Sequence, residues 1–341
     1  MGRTVPDRIR RLVLAASLAV AMLPVVLTFS GCDPQTRRPA RVGIVLFGDS
    51  RQPQVEGFIR GMGEPGDNAG RPVVYLVRNA HNDRRKLAGL VRALLDAKVD
   101  LLAAAGGLEA DTMKALASAR HVPVVVLYVN SILQRGLVRS RRHPGWAVTG
   151  VDNLNAEISG KRVELLQDLI PDVRRILILY YPDIDPSRIG METARAAARR
   201  HGLVVDARAV HSRADIARVM RGLRPGDVDA MLTVPTAPID NALKDIILPQ
   251  VRRLHLPLMT HSRSLAEEGA LASYGAPFFG LGRQAARLAR KVLQGVTPQN
   301  MPFETPKTFL YTINRTELAR LHLTLGPLAQ TQVDEFITTQ R

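Results

Sequence analysis

The chain has 341 residues, 46% hydrophobic and 23% charged, which is the composition of a folded protein and more chain than one core comfortably fills. Its single cysteine excludes an internal disulfide and every zinc pattern built on paired cysteines. The formal net charge of +16 invites an anionic partner, yet the arginines are scattered over many predicted helices, the pattern of a solvated surface and not of a nucleic-acid interface.

The first predicted element is a leader. MGRTVPDRIRR is cationic, LVLAASLAVAMLPVVLTF is an apolar run of leader length, and Ser30 and Gly31 precede the lone Cys32. The stretch resembles a bacterial lipoprotein signal, which implies that residues 1–31 are removed and that Cys32 becomes the lipidated first residue. Phe29 departs from that pattern, where leucine is usual. Asp33 resembles an inner-membrane retention signal, and residues 32–40 read as a polar tether. An uncleaved membrane anchor is the other reading, although Pro24 interrupts the run. Both place the body outside the cytoplasmic membrane, in the periplasm or on the membrane's outer face.

From Arg41 the sequence alternates strands and helices. RVGIVLF, VVYLV, DLLAAA and VPVVVLYV each have the length of a buried strand, and an amphipathic segment or turn follows each. A second series begins at RRILILYY and continues through LVVDARAV, DAMLTVP, LPLMTHS and GALASYG. Strand–helix alternation implies parallel sheets, so the expected fold is α/β, with two doubly wound lobes joined by a multi-strand hinge. The turn-rich HPGWAVTGVDN marks the first crossing near Thr149–Gly150, and further crossings are expected near residues 275 and 306. Lobe one is then 41–150 with 276–306, and lobe two is 151–275 with 307–341.

Four motifs are weighed against plainer readings. GMGEPG (Gly61, Gly63, Gly66) has dinucleotide-loop spacing but follows a helix instead of a strand, so it reads as a helix stop and loop. GIVLFGDS looks like the opening of the GDS-type serine hydrolases with Ser50 as nucleophile, yet the Asp-x-x-His that such enzymes need does not occur in the chain. His255 and His261 lie six residues apart on an extended strand, roughly 20 Å, too far for one metal ion. Gly106 and Gly107 open a helix, where free N–H groups can hold a ligand oxygen or simply form a tight turn. No catalytic residue, cofactor or metal is expected.

The order VTGVDN, LILYYPD, AMLTVPT, EEGALASYG, FFGLGRQAARLARKVLQG and TFLYTINRTELARLHL resembles the ABC-transporter substrate-binding proteins of the tryptophan/tyrosine type, from about Arg41 to the C-terminus. That resemblance implies a type 1 periplasmic-binding-protein fold, a cleft for a small solute, partnership with a permease and an ATPase, and no chemistry. A sensing ectodomain that reports ligand through lobe closure is the alternative on the same fold.

Ligands of open α/β sheets bind beyond the carboxyl ends of the strands. In lobe one those ends carry Phe47, Asp49, Ser50, Gly107, Leu108, Tyr128, Asn130 and Ser131. In lobe two they carry Asp152, Asn153, Tyr181, Asp183, Thr236, His261 and Arg263, with Tyr274 at the second crossing. The core is the plainer destination for Phe47, Leu108 and Tyr128, and Asp183 can cap a helix. Relatives often carry Asp-Asn where this chain has Ala237-Pro238, and Gly-Asp where it has His261-Ser262. With those acids missing, the expected ligand is small, partly apolar and neutral or anionic, stacked on Phe47 and Tyr128; Arg263 grips an anion if it faces the cleft and otherwise opens a solvent-facing helix at RSLAEEG, with Asp49 and Asp152 as acidic counterweights. The protein is expected to act as a monomer.

Overall fold

The computed structural model describes residues 38–64 and 71–339, so the leader, Cys32, Asp33, most of the tether and Gly66 lie outside the described residues. The first sheet contains β1 (Ala40–Leu46), β2 (Val73–Asn79), β3 (Leu101–Ala104), β4 (Val124–Val129) and β5 (Val148–Asp152), all parallel, in the order β2-β1-β3-β4-β5. Its inner strands are apolar on both faces because helices cover both, whereas the edge strand β2 is partly exposed along its length. Val42, Ile44 and Leu46 pack into one core with Phe58 and Leu281, while Val45 points into the other with Leu94 and Met113.

The second sheet repeats this plan. It contains β6 (Arg175–Tyr180), β7 (Val204–Ala209), β8 (Ala230–Leu232), β9 (Leu258–Thr260) and β10 (Ala272–Gly275), then β11 (Leu310–Asn314) and β12 (Glu335–Ile337). The order is β7-β6-β8-β9-β10-β11-β12, so its first five strands match the first sheet. Strand β6 divides in the same way, with Ile176 and Ile178 on one core and Leu177 and Leu179 on the other. Strand β11 departs from the all-parallel expectation. It enters after a return through the first sheet's territory and pairs antiparallel with β10.

The chain passes between the sheets three times. Asp152 still belongs to β5, and the second sheet begins at Arg175. After β10 the helix Phe278–Leu293 returns to pack on the helix Gln52–Met62. Residues 303–304 then run beside β5, where Glu304 N–H donates to the Gly150 carbonyl and Asp152 N–H to the Glu304 carbonyl, before β11 rejoins the second sheet. The two helices cross at backbone contact. A Cβ on Gly57 would overlap the Phe279 carbonyl, one on Gly282 would overlap the Gln54 carbonyl, and one on Gly61 would sit 2.8 Å from Ala286 Cβ. Gly61 of the GMGEPG stretch is therefore a packing residue, and Gly63 ends the helix.

Candidate ligand-binding site

In each sheet the strand order reverses once, between β1 and β3 in the first and between β6 and β8 in the second. The connections beyond those strand ends run to opposite faces and open a crevice at the switch point. The predicted residues fall at these two places, at the ends of the neighbouring strands β4 and β9, or at the crossings.

At the first switch point the chain leaves β1 through Phe47 and a short 3-10 turn, Asp49–Arg51. The helix Gly107–Ala119 starts just after β3, and its Glu109 is fully buried. Glu109 Oε1 accepts the Phe47 N–H at 2.7 Å and lies 3.9 Å from Arg51 Nε. Arg51 also donates to the Tyr128 hydroxyl and lies 4.9 Å from the centre of that ring. Burial works against the charge of Arg51, and Tyr128, Glu109 and Asp240 more than offset it, raising its pKa. Tyr128 is nearly buried and meets the Phe278 ring with centroids 5.2 Å apart.

The other first-sheet residues take varied places. Asp49 and Ser50 are exposed, and Asp49 accepts from Asn79 Nδ2 at 2.7 Å. Ser50 makes no hydrogen bond to a histidine among the described residues. Phe47 and Leu108 are half-buried against the core. Gly107 lies against Arg135, itself bonded to Asp111. Ser131 is fully buried with a φ of 55°, and neither its hydroxyl nor Asn130 Oδ1 has a partner.

At the second switch point, β8 is followed by Thr233 and leads through Thr236 into the short helix Ala237–Asp240. Thr236 occupies the N-cap position, but its hydroxyl makes no capping bond. Asp240 Oδ2 stands 3.5 Å from Nε2 of the buried His261 at the end of β9. Buried atoms without a partner gather here: Thr233 Oγ1, Thr236 Oγ1, Asp240 Oδ1 and His261 Nδ1. Tyr181 is half-buried against its own lobe's core, and Asp183 is exposed beside His211.

Of its two readings, Arg263 takes the solvent-facing helix start. It opens the helix Arg263–Glu268 in an exposed position, with Nε 2.8 Å from Glu335 of β12 and a further bond to Glu267. Its fork is occupied by two carboxylates of the chain itself.

The crossings form a third polar group. Asp152 accepts from Arg141 Nε at 2.7 Å, and Arg141 also approaches Glu157 at 3.8 Å. Burial holds both carboxyls above their usual range, and Arg141 only partly offsets it. Asp152 Oδ1 and Asn153 Nδ2 lack partners. Arg162, fully buried, donates to the Tyr274 carbonyl (2.7 Å), the Asn155 carbonyl (2.7 Å), Ser159 Oγ (3.0 Å) and Asn155 Oδ1. Burial pushes its pKa down to about 9. It thus ties the chain just after the first crossing to the chain just before the second. Tyr274 itself is half-buried and stacks on Phe309 at 5.8 Å.

Sequence reasoning missed Arg51, Glu109, Arg141, Arg162 and Asp240. Arg51 directly follows the FGDS stretch and Asp240 lies three residues beyond the Ala237-Pro238 replacement, so position alone pointed near both. Arg162 carries no such signal, because a lone arginine in an amphipathic helix reads as surface.

Two doubly wound sheets, with polar strand ends at both switch points and three crossings, define the two-lobed type 1 periplasmic-binding-protein class. The chain belongs to the ABC transporter substrate-binding protein family, whose model matches residues 41–329, and it is the solute-binding component of such a transporter. A "Tyrosine-binding protein" of Clostridioides difficile is 24% identical over 326 residues, covering 93% of this chain and 92% of that one. The ABC domain from Streptococcus pneumoniae in complex with L-Trp has a TM-score of 0.76 at 24% identity, over 87% of this chain and all of that one. A ligand-free, open substrate-binding protein with adhesive properties from Clostridium difficile has a TM-score of 0.69 at 19% identity, over 88% and 100%. No described helix is long and apolar enough to cross a membrane.

Proposed function

We propose that the protein captures a small, partly apolar solute between its two switch points and delivers it to the permease and ATPase of an importer. It does so as a monomer, held outside the cytoplasmic membrane by a lipid on Cys32, and without catalytic turnover. The observation that carries the cleft reading is the gathering of buried, unpartnered polar atoms at strand ends of both sheets: Glu109 Oε2, Asn130 Oδ1 and Ser131 Oγ in the first, Thr233 Oγ1, Thr236 Oγ1, Asp240 Oδ1 and His261 Nδ1 in the second. Folded proteins rarely leave such atoms unsatisfied, because each costs about 1–3 kcal/mol. A ligand that bonds both groups recovers that cost only when the lobes face each other, so it shifts the population toward the closed form. The three crossings supply a hinge of the kind that such closure uses.

Native mass spectrometry of the purified protein tests the capture step. A stoichiometric small solute, released on unfolding and lost when Thr236 and Asp240 are replaced, is the expected result. A solute retained by that variant would move the site elsewhere. For the anchor, fatty-acid labelling of the full chain is expected to vanish in Cys32→Ser, and label retained there would refute it.

A further inference from the structure

Each sheet has two edge strands, and three of the four are guarded. Strand β5 is lined by residues 303–304, where Glu304 N–H donates to the Gly150 carbonyl. Strand β12 is three residues long, and its Glu335 is held by Arg263 at 2.8 Å. Strand β7 carries the ion pair Asp206–Arg208, 2.7 Å apart, and charges on an edge discourage a further strand. Strand β2 has no such guard along its apolar part. It reads VVYLVRN, seven residues paired with β1 throughout, with no proline and no charge before Arg78.

The side of β2 that faces away from β1 is open. Ala40 N–H donates to the Pro72 carbonyl and Ala80 N–H to the Leu46 carbonyl, so the even-numbered residues of β2 bond β1. Val73, Tyr75, Val77 and Asn79 therefore turn their backbone N–H and C=O groups outward. Among the described residues the one bond to those groups is from Arg78 Nη1 to the Val77 carbonyl, a local contact at the surface. Val74 and Val77 are 44% and 39% exposed, so apolar area lies beside the free backbone. Both ends of the strand carry surplus cations. At the amino end Arg38 and Arg71 share the single carboxylate of Asp100. At the carboxyl end Arg85 is paired with Asp83 and Asp49 bonds Asn79, whereas Arg78, Arg84 and Lys86 are exposed and meet no carboxylate among the described residues.

We propose that the outer side of β2 is a docking edge for an extended polypeptide segment with an apolar centre and acidic ends, which joins the five-stranded first sheet as a further strand. Main-chain bonds to Val73, Tyr75 and Val77 supply the affinity, and Val74 and Val77 supply apolar contact. Carboxylates at the ends of the partner answer the surplus cations through charge-assisted bonds, and the Arg78 guanidinium leaves the Val77 carbonyl for one of them. A second copy of this chain does not fit. Laid antiparallel, β2 of each copy would bring its Arg78 end to the Arg71 end of the other, and laid parallel it would bring Arg78 to Arg78. Both set cation against cation, which destabilises a strand pair. Strand β2 belongs to lobe one alone, and its free side lies along the flank of the sheet, away from the carboxyl ends. The partner therefore holds lobe one while the lobes stay free to close on solute.

Two capped peptides, acetyl-DEVTVTVED-amide and acetyl-DEITITIED-amide, test this when titrated against the full chain by calorimetry. A basic counterpart, acetyl-KKVTVTVKK-amide, and an acidic peptide N-methylated at alternate residues, which cannot form strand bonds, are the controls. The acidic peptides are expected to bind and to slow hydrogen exchange at the Tyr75 and Val77 amides, and the controls to do neither. Val77→Pro removes one outward N–H without touching the ladder to β1, a change that edge strands tolerate. It is expected to weaken the acidic peptides by about tenfold or more while solute occupancy in native mass spectrometry stays the same. Arg78→Glu combined with Lys86→Glu serves as a second variant should Val77→Pro fold poorly, and is expected to weaken the acidic peptides by about tenfold and to admit the basic one. No binding of either acidic peptide, equal binding of a control, or binding undiminished in both variants would overturn the proposal. So would slow exchange at Tyr75 and Val77 before any peptide is added, which would show the edge covered by the chain itself, or a self-association of the wild type that Val77→Pro abolishes, which would give the edge to a second copy.

Discussion

Arg162 and Asp240 are two charged groups with deeply shielded atoms, and the chain treats them in opposite ways. Around Arg162 every donor nitrogen finds a carbonyl, amide or hydroxyl oxygen of the same lobe, and the bonds join residues on either side of the crossings. Around Asp240 one oxygen has only a histidine at 3.5 Å and the other has nothing, while the hydroxyls beside it are equally idle. A buried polar group satisfied from within is scaffold, whereas one left unsatisfied at a strand end still has a bond to give to a partner from outside.

The largest expected effect breaks the scaffold side. Arg162→Met strips the Tyr274 and Asn155 carbonyls of their donors and is expected to cost about 3 kcal/mol in urea unfolding. A midpoint equal to that of the wild type would show that the knot does not hold the crossings. Gly282→Ala is next, at about 2 kcal/mol, because the added methyl must displace the backbone of the facing helix. Undiminished stability there would mean that the two helices can separate freely.

The ligand side responds in the other sense. Thr236→Val removes a buried hydroxyl that bonds nothing, so the unliganded protein is expected to keep or gain stability, while affinity for the captured solute falls about tenfold. Loss of stability instead would make Thr236 structural. A smaller effect concerns pH. Asp152 and Glu157 have raised folded-state pKa values, so between neutrality and the usual carboxylate range the folded protein holds more protons than the unfolded chain. Their charged forms penalise the fold at neutral pH, and the penalty fades on acidification. Glu157→Gln is expected to lessen any gain in stability between pH 7 and 5, and an unchanged profile would rule out the buried carboxyl as its source. Smallest of all, Arg263→Ala breaks only partly exposed ion pairs and is expected to cost under about 1 kcal/mol with no change in affinity.

Strand positions were legible because buried parallel strands read as unbroken apolar runs, from RVGIVLF to GALASYG, and their carboxyl ends follow directly. The antiparallel β11 was not, since TFLYTIN carries no mark of the direction from which it enters. Charge partnerships were illegible for a deeper reason. Arg263 and Glu335 are 72 positions apart, Arg51 and Glu109 are 58 apart, and nothing local indicates which arginine is neutralised and which stays free. Asp240 stands outside the family's acidic positions, and only the helical turn from Ala237 brings it to the same wall.

The central claim is that strand ends of two lobes close on one solute, and small-angle scattering of the full lobes, with and without a saturating ligand identified by native mass spectrometry, tests it most directly. The account predicts a smaller radius of gyration on binding in the wild type and no contraction in the protein carrying Thr236→Val and Asp240→Asn together. A ligand bound at full occupancy with no contraction, or an equal contraction in that variant, would contradict it.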